Sequence, residues 1–150
     1  MKPILLSLLC YLLLSACSSD PDNPKDQIKA VLKQIEVAAE DRSRRGISAY
    51  ISEQYLDEKQ QSKESIEKLL QFYLIKNQSI NIFTTIQSIE LQGPQRAEVQ
   101  LTAAIAAKSV DLEKEANRLK ADLHRFTLLL QDESSEGDWK IITAKWQQGL

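Results

Sequence analysis

Residues 97–107 read AEVQLTAAIAA, a stretch in which apolar side chains recur at every second position. Val99 and Leu101 share one face of an extended chain, whereas Glu98 and Gln100 share the other. Because successive side chains of a β-strand point to opposite faces of a sheet, this alternation predicts a strand with one buried face. The strand decides the fold class, since the chain before it turns from a helical to an alternating period and the chain after it continues to alternate.

The segment before this strand is also extended, but its pattern contains an interruption. Residues 80–92 are rich in β-branched side chains; their first apolar positions are even, at Ile82 and Ile86, and their last are odd. A change of phase within one strand predicts a β-bulge near Gln87-Ser88, which bends the strand. Gly93-Pro94 then predicts the turn into the next strand.

Two further strands are predicted downstream, over 122–131 and 139–147, with a charged turn between them. Residues 111–120 break the alternation, and their apolar spacing leaves two structures open, a short helix or an elaborated hairpin tip. The residues that produce this spacing are Leu112, Ala116 and Leu119. Trp139 and Trp146 are seven residues apart, so a straight strand would place them on opposite faces, with Trp139 in the core and Trp146 exposed.

Helical periodicity precedes the strands. Asn23-Pro24 is a typical helix start, with a capping side chain followed by proline in the first turn. The apolar stripe that follows has three-and-four spacing, and we expect this helix to end near 44–46, where Gly46 can adopt the left-handed conformation. A shorter helix is predicted over 47–56 and a third over 62–77.

Three helices followed by an antiparallel meander predict an α+β fold, with N-terminal helices packed on a curved four-stranded antiparallel sheet. The chain resembles the nuclear-transport-factor-2-like superfamily, the cone-shaped fold shared with ketosteroid isomerases; a cystatin-like arrangement with one principal helix is the nearest alternative. The resemblance rests on four segments: the stripe at 28–39, ISAYI at 47–51, FTLLL at 126–130 and GDWKI at 137–141. It implies a single domain over 26–150, with a pocket between the concave face of the sheet and the helices.

A second kind of signal lies near residue 1. Lys2 is followed by the apolar run Ile4–Leu14 and then by small residues, which is typical of a secretory signal and too short for a membrane span. Leu14-Ser15-Ala16-Cys17 resembles the lipobox of bacterial lipoproteins, which implies cleavage before Cys17 and acylation of its thiol. A plain secretory leader, cut after a small-x-small site, is the alternative and would leave a free thiol.

The lipobox divides the chain into a signal peptide over 1–16, a lipidated cysteine with a flexible tether over 17–25, and the folded domain. Two or more acyl chains hold a protein firmly on a membrane, so the lipid on Cys17 predicts a membrane partner and a cell-envelope location. Ser18 in the second mature position resembles the sorting signal for the outer membrane, facing the periplasm.

Composition excludes several classes of function. The net charge is -2 without a basic stripe, which argues against nucleic-acid binding. The single histidine, His124, and the single cysteine left after cleavage are too few for the usual zinc or iron site, so neither a metal nor a cofactor is predicted.

A ketosteroid-isomerase-like mechanism, as the resemblance implies it, needs an aspartate base and a tyrosine donor inside the pocket. The candidate pocket residues are Tyr50, Tyr73 and His124. His124 shares its strand phase with Phe126 and so is expected to face the cone near its mouth; a hydrogen-bonded edge residue is the alternative. The carboxylate is missing from the pattern, because Glu98 points away from the predicted core and Asp122 lies at a strand end.

The sequence therefore predicts a non-catalytic envelope lipoprotein rather than an enzyme. Its domain would bind a protein partner, a second copy of itself as a homodimer, or a small apolar ligand. The alternative is a small-molecule enzyme, isomerase- or hydrolase-like, that uses the cone pocket. A buried carboxylate would favour the enzyme, whereas a pocket filled by Phe126 and Leu128 would favour binding.

Overall fold

The computed structural model describes residues 22–109 and 120–149. The predicted leader, the lipidation site Cys17 and most of the ambiguous segment 111–120 lie outside these ranges. Three helices are followed by four strands. They are α1 (Pro24–Glu40), α2 (Arg44–Ser48), α3 (Lys63–Lys76), β1 (Asn77–Leu91), β2 (Arg96–Ser109), β3 (Lys120–Asp132) and β4 (Trp139–Gln148).

The strands form one antiparallel sheet in the order β1-β2-β3-β4, with the helices against its concave face. This arrangement confirms the predicted α+β fold class. No helix within the described residues is long and apolar enough to cross a membrane.

Helix α1 begins as predicted and ends earlier than predicted. The Asn23 side chain accepts the backbone N–H of Lys25 at 3.0 Å and so caps the first turn. The helix stops at Glu40 because Arg42 takes a left-handed conformation, with φ of 56°, and Ser43 caps a new helix. The left-handed residue is therefore an arginine, and the prediction that Gly46 ends α1 was wrong.

Gly46 lies inside α2, where a side chain would not fit. A Cβ atom at this position would lie 2.8 Å from the Cβ of Ala38 in α1, so glycine permits the close approach of the two helices. Helix α2 is shorter than predicted, because residues 50–56 hydrogen-bond to the edge of β4 instead of continuing the helix. The N–H of Ser52 donates to the carbonyl of Ile141 at 3.0 Å, and Leu56 donates to the next carbonyl.

Both long edge strands contain a bulge. In β1 the pairing shifts between Ile86 and Ser88, which confirms the bulge predicted from the change of apolar phase. Two further shifts were not predicted: one in β1 between Asn77 and Ser79, and one in β4, opposite Leu129 and Leu130.

The extra residue in β4 changes the face on which a tryptophan lies. Asp132 pairs with Trp139, and Phe126 pairs with Trp146, so the two indoles occupy the same, concave face. The prediction that they lie on opposite faces was wrong, because it assumed a straight strand.

The core lies at the end of the sheet where the turns 92–95 and 133–138 join the strands, which we call the closed end. Trp139 is 1% exposed there, and its indole N–H donates to Oε1 of Gln27 in α1 at 3.0 Å. Burial decreases along β2 from Ala97 and Val99, which are fully buried, to Ile105 and Ala107, which are half-buried. We call the less buried end of the sheet, where β2 and β4 finish, the open end.

Candidate functional site

At the open end, the concave face of the sheet is apolar and keeps contact with solvent. Ile82, Ile105 and Phe126 point inward from three strands and are half-buried. Helix α3 starts beside the β4 edge and ends at β1, so it crosses the sheet, and its Ile66 and Leu70 pack on the same cluster. The result is an apolar concavity that solvent can reach.

Strand β3 places two polar side chains in this concavity. His124 pairs with Ala103 and Asp122 pairs with Ile105, and both partners belong to the concave face of β2. His124 is half-buried, and its ring centroid lies 6.2 Å from that of Phe126. Two residues along a strand correspond to roughly 6.6 Å, so the carboxylate and the imidazole are neighbours on one surface.

Sequence reasoning missed Asp122 because it was set aside as a strand-end residue. The signal that could have found it was already used for His124. Residues 122, 124 and 126 have the same parity, so a strand that places Phe126 on the concave face must place Asp122 there as well.

Tyr73, in the last turn of α3, lies near this pair. Burial raises the pKa of the Tyr73 phenol, and the negative charge of Asp122 raises it further, so the phenol stays protonated at neutral pH. The amide of Asn77, which is buried, donates to the carbonyl of Tyr73 at 2.8 Å and holds the end of the helix. Gln148, paired with His124 across the sheet, donates to Asp122 at 3.4 Å.

Tyr50, the third candidate from the sequence, lies elsewhere. Its carbonyl accepts the N–H of Ile141, and Ile141 pairs with Leu130 near the closed end. Leu130 is six residues from His124 along β3, which corresponds to roughly 20 Å. The structure therefore brings Tyr73 and His124 to one end of the sheet and leaves Tyr50 at a distance.

An aromatic surface adjoins the acid–base groups. Trp146 pairs with Phe126 on the concave face. The next pair on that face, two residues along each strand, is His124 with Gln148. The Lys59 ammonium lies 4.9 Å from the centroid of the Trp146 ring, in a cation–π contact.

A buried carboxylate lies in the loop that carries this lysine. Asp57 is 5% exposed, and its Oδ1 accepts the backbone N–H groups of Lys59 and Gln61, whereas its Oδ2 has no hydrogen-bond partner among the described residues. Beside it, burial and then the charge of Asp57 raise the pKa of Tyr55 to about 12. Asp132 is also buried, at 7% exposed, so the described domain contains two buried carboxylates.

Two cavities lie apart from this site. One, of about 450 Å³, opens between the start of α3 and Glu53, with Lys63 and Glu67 in its polar wall. The other, of about 230 Å³, lies at the closed end beside Gly137 and Trp139. No cluster of three or more histidine, cysteine or acidic side chains suited to a metal ion occurs in the described ranges.

Comparison with known proteins gives similarity in structure only. No protein-family model and no curated protein matches the sequence. The fold is the nuclear-transport-factor-2-like cone. A provisionally assigned dehydratase of that family from Streptomyces avermitilis superposes with a TM-score of 0.70 at 14% identity, covering 87% of this chain and 99% of its own.

Two other solved structures show the same fold. A provisionally assigned scytalone dehydratase from Novosphingobium aromaticivorans has a TM-score of 0.69 at 9% identity, with 83% of each chain covered. A ketosteroid isomerase-like protein from Erwinia carotovora atroseptica has a TM-score of 0.63 at 10% identity, covering 81% of this chain and 92% of its own.

These comparisons correct the predicted function. The prediction of a non-catalytic binding protein was wrong, because structures that share this fold are named as enzymes and favour the alternative, a small-molecule enzyme. The structure also places one carboxylate on the concave face, since Asp122 lies there beside His124 with its side chain exposed.

Proposed function

We propose that this protein is an enzyme that transfers a proton on a small organic molecule bound at the open end of the cone. The observation that carries the proposal is the pair His124 and Asp122 on the concave face at the open end, with Tyr73 within electrostatic range of Asp122. Two of these groups accept protons, and the third is a phenol whose raised pKa keeps it a hydrogen-bond donor. Proton transfer needs such groups within reach of one bound molecule.

The chemistry that these residues support starts at a C–H bond next to a carbonyl group. The imidazole of His124 takes the proton, and the electron pair of the C–H bond moves into the enolate, whose oxygen carries the negative charge. The Tyr73 phenol donates a hydrogen bond to that oxygen. The apolar side chains around the concavity lower the local dielectric constant, which strengthens this interaction.

Two outcomes of the enolate balance the proton taken by His124. Return of the proton to a different carbon completes an isomerisation. Departure of a hydroxyl group from the adjacent carbon, with the imidazolium proton delivered to it, completes the loss of water. These are the reaction classes named for the ketosteroid isomerase-like and dehydratase structures, which supports the proposal for this chain.

Deuterium incorporation tests the proposal without knowledge of the natural substrate. Carbon acids such as 2-tetralone, phenylacetone and phenylpyruvate are incubated with the protein in D₂O, and exchange at carbon is followed by NMR. We expect catalysed exchange to fall at least about 100-fold in His124→Gln, as for loss of a general base, and less in Tyr73→Phe. Tyr50→Phe is the matched control, because Tyr50 lies at a distance from the site. Equal exchange by the wild type and His124→Gln on every compound would refute the proposal.

The motif at Leu14–Cys17 supports a proposal about where the protein is located. We propose that a lipid on Cys17 anchors the chain to a membrane of the cell envelope. Asp22 lies beside Pro94 and Trp139, so the tether enters the domain at the closed end. Cys17→Ser should move the protein from the membrane fraction to the soluble fraction; retention in the membrane would refute the anchor.

A further inference from the structure

We propose that the substrate is a planar organic acid. Its negative group would lie against Lys59, and its flat carbon skeleton would lie on Trp146 and Phe126. This inference rests on the proposed function, and it adds the class of molecule that the site takes.

The charge of Lys59 is the first argument. Its ammonium contacts the face of Trp146 and forms no ion pair with a carboxylate of the described residues. Other lysines on the β4 side of the molecule are paired. The pairs are Lys63 with Glu53 at 2.6 Å, Lys140 with Glu133 at 3.1 Å and Lys145 with Glu58 at 2.5 Å. An ammonium held by a ring face keeps N–H donors free, so Lys59 is available for an anion.

The loop that presents Lys59 is held in place by its own hydrogen bonds. Asp57 Oδ1 accepts the N–H of Lys59 at 2.8 Å and that of Gln61 at 2.9 Å. Leu56 and Ser62 form a β-bridge at the base of the loop, and Leu56 is bonded to the β4 edge. A cation on a pre-formed loop loses little conformational freedom when it binds an anion.

The distance from the Trp146 surface to the acid–base groups matches a small molecule. Trp146 and His124 lie on neighbouring strands and two residues apart in register, which corresponds to roughly 8 Å between their backbones. A ring with a short conjugated arm spans this length. Its flat face would lie on Trp146 and Phe126, since aromatic surfaces pack favourably face to offset face.

The charges also set the orientation of such a molecule. Asp122 lies beyond His124, at the end away from Lys59, and would repel a second negative group. The acid group is therefore directed to Lys59, and the reacting carbon to His124. A cationic molecule at the same surface would be repelled by Lys59.

Binding of a non-reacting probe tests this assignment. Calorimetric titration of the full chain compares trans-cinnamate with its neutral isostere trans-cinnamamide and with cationic cinnamylamine. We expect cinnamate to bind at least tenfold more tightly than cinnamamide. Lys59→Gln should abolish that difference, and Lys59→Arg should retain most of it. Lys145→Gln is the matched control, because it removes the same charge from the opposite face of the strand and should leave the difference unchanged.

Several results would overturn the assignment. They are equal affinity for cinnamate and cinnamamide, a preference for cinnamylamine, equal effects of Lys59→Gln and Lys145→Gln, or no binding of cinnamate. Because cinnamate is not turned over, the outcome is independent of catalysis. Cinnamate binding without deuterium exchange would refute the proposed enzyme activity and support the acid-binding surface. Deuterium exchange without a preference for cinnamate would support the enzyme activity and refute the acid-binding surface.

Discussion

Replacement of Asp57 by alanine should destabilise the protein through the loop that presents Lys59. Asp57 is 5% exposed, and its Oδ1 accepts two backbone N–H groups, those of Lys59 and Gln61. A hydrogen bond to a charged acceptor contributes about 1.5–3 kcal/mol, and both would be lost. Removal of a buried charge whose Oδ2 has no partner among the described residues offsets part of this loss. We therefore expect the free energy of unfolding to fall by about 2–4 kcal/mol.

Asparagine at the same position separates the geometry of the acceptor from its charge. Asp57→Asn keeps an acceptor oxygen for both N–H groups and places an amide donor where Oδ2 stands. Gln61 in the same loop also has a buried side-chain oxygen without a partner in the described structure. We expect Asp57→Asn to stay within about 1 kcal/mol of the wild type.

The assay is equilibrium unfolding in urea at pH 7, followed by far-UV circular dichroism. Glu58→Ala, at the neighbouring position with an exposed ion pair to Lys145, is the control and should change stability by less than about 1 kcal/mol. Equal stability of Asp57→Ala and Asp57→Asn would refute the reasoning that the accepted N–H bonds hold the loop. A large loss in both would show that the negative charge itself is what matters.

Three further predictions concern single sites. Burial and the charge of Asp57 raise the pKa of Tyr55 from 10.0 to about 12. The protonated phenol therefore contributes to the free energy of unfolding in full below pH 10, and this contribution is lost as the pH rises to about 12. The urea midpoints at pH 8 and pH 11.5 should differ less in Tyr55→Phe than in the wild type. A hydrogen bond from Ser52 lowers the pKa of Glu133 below 4.5. The stabilisation from this bond is therefore present above pH 4.5 and is lost on acidification. Ser52→Ala should lower the free energy of unfolding by about 1 kcal/mol at pH 7 and by clearly less at pH 3, and an equal loss at both values would contradict this linkage. The Cβ atom of Gly46→Ala would press against Ala38, so we expect the free energy of unfolding to fall by about 1–3 kcal/mol and the melting temperature to fall with it. This loss should outweigh the higher helix propensity of alanine. An unchanged melting temperature would show that α1 and α2 can separate without cost.

The shift between Ile86 and Ser88 in β1 and the shift in β4 show where sequence patterns are informative about the sheet. In β1, isoleucines at even positions before the shift and an odd position after it predict the bulge that the pairing contains. In β4 the same change occurs, from Trp139 and Ile141 to Ala144 and Trp146, but uncharged residues between them blur the phase. The pattern was present there and too weak to separate from a straight strand.

The concave site was predictable in part. His124 was expected to face the cone from its phase with Phe126, and Asp122 follows from the same parity. Tyr73 was found as one of several tyrosines on apolar helix faces, a property it shares with Tyr50. Nothing in the local pattern separates these two tyrosines, because what distinguishes them is the part of the sheet that each approaches.

The sequence by itself determined the order of the elements and the α+β class. Helical and alternating periods are local properties, and they follow from which side chains must leave water. Tertiary structure alone decided that Tyr73 lies within electrostatic range of Asp122 and that Lys59 lies over Trp146, since each pair joins residues far apart in the chain. Those contacts depend on how α3 and the 57–61 loop pack across the sheet. That packing is settled by the fit of many side chains at once, so no short stretch of sequence encodes it.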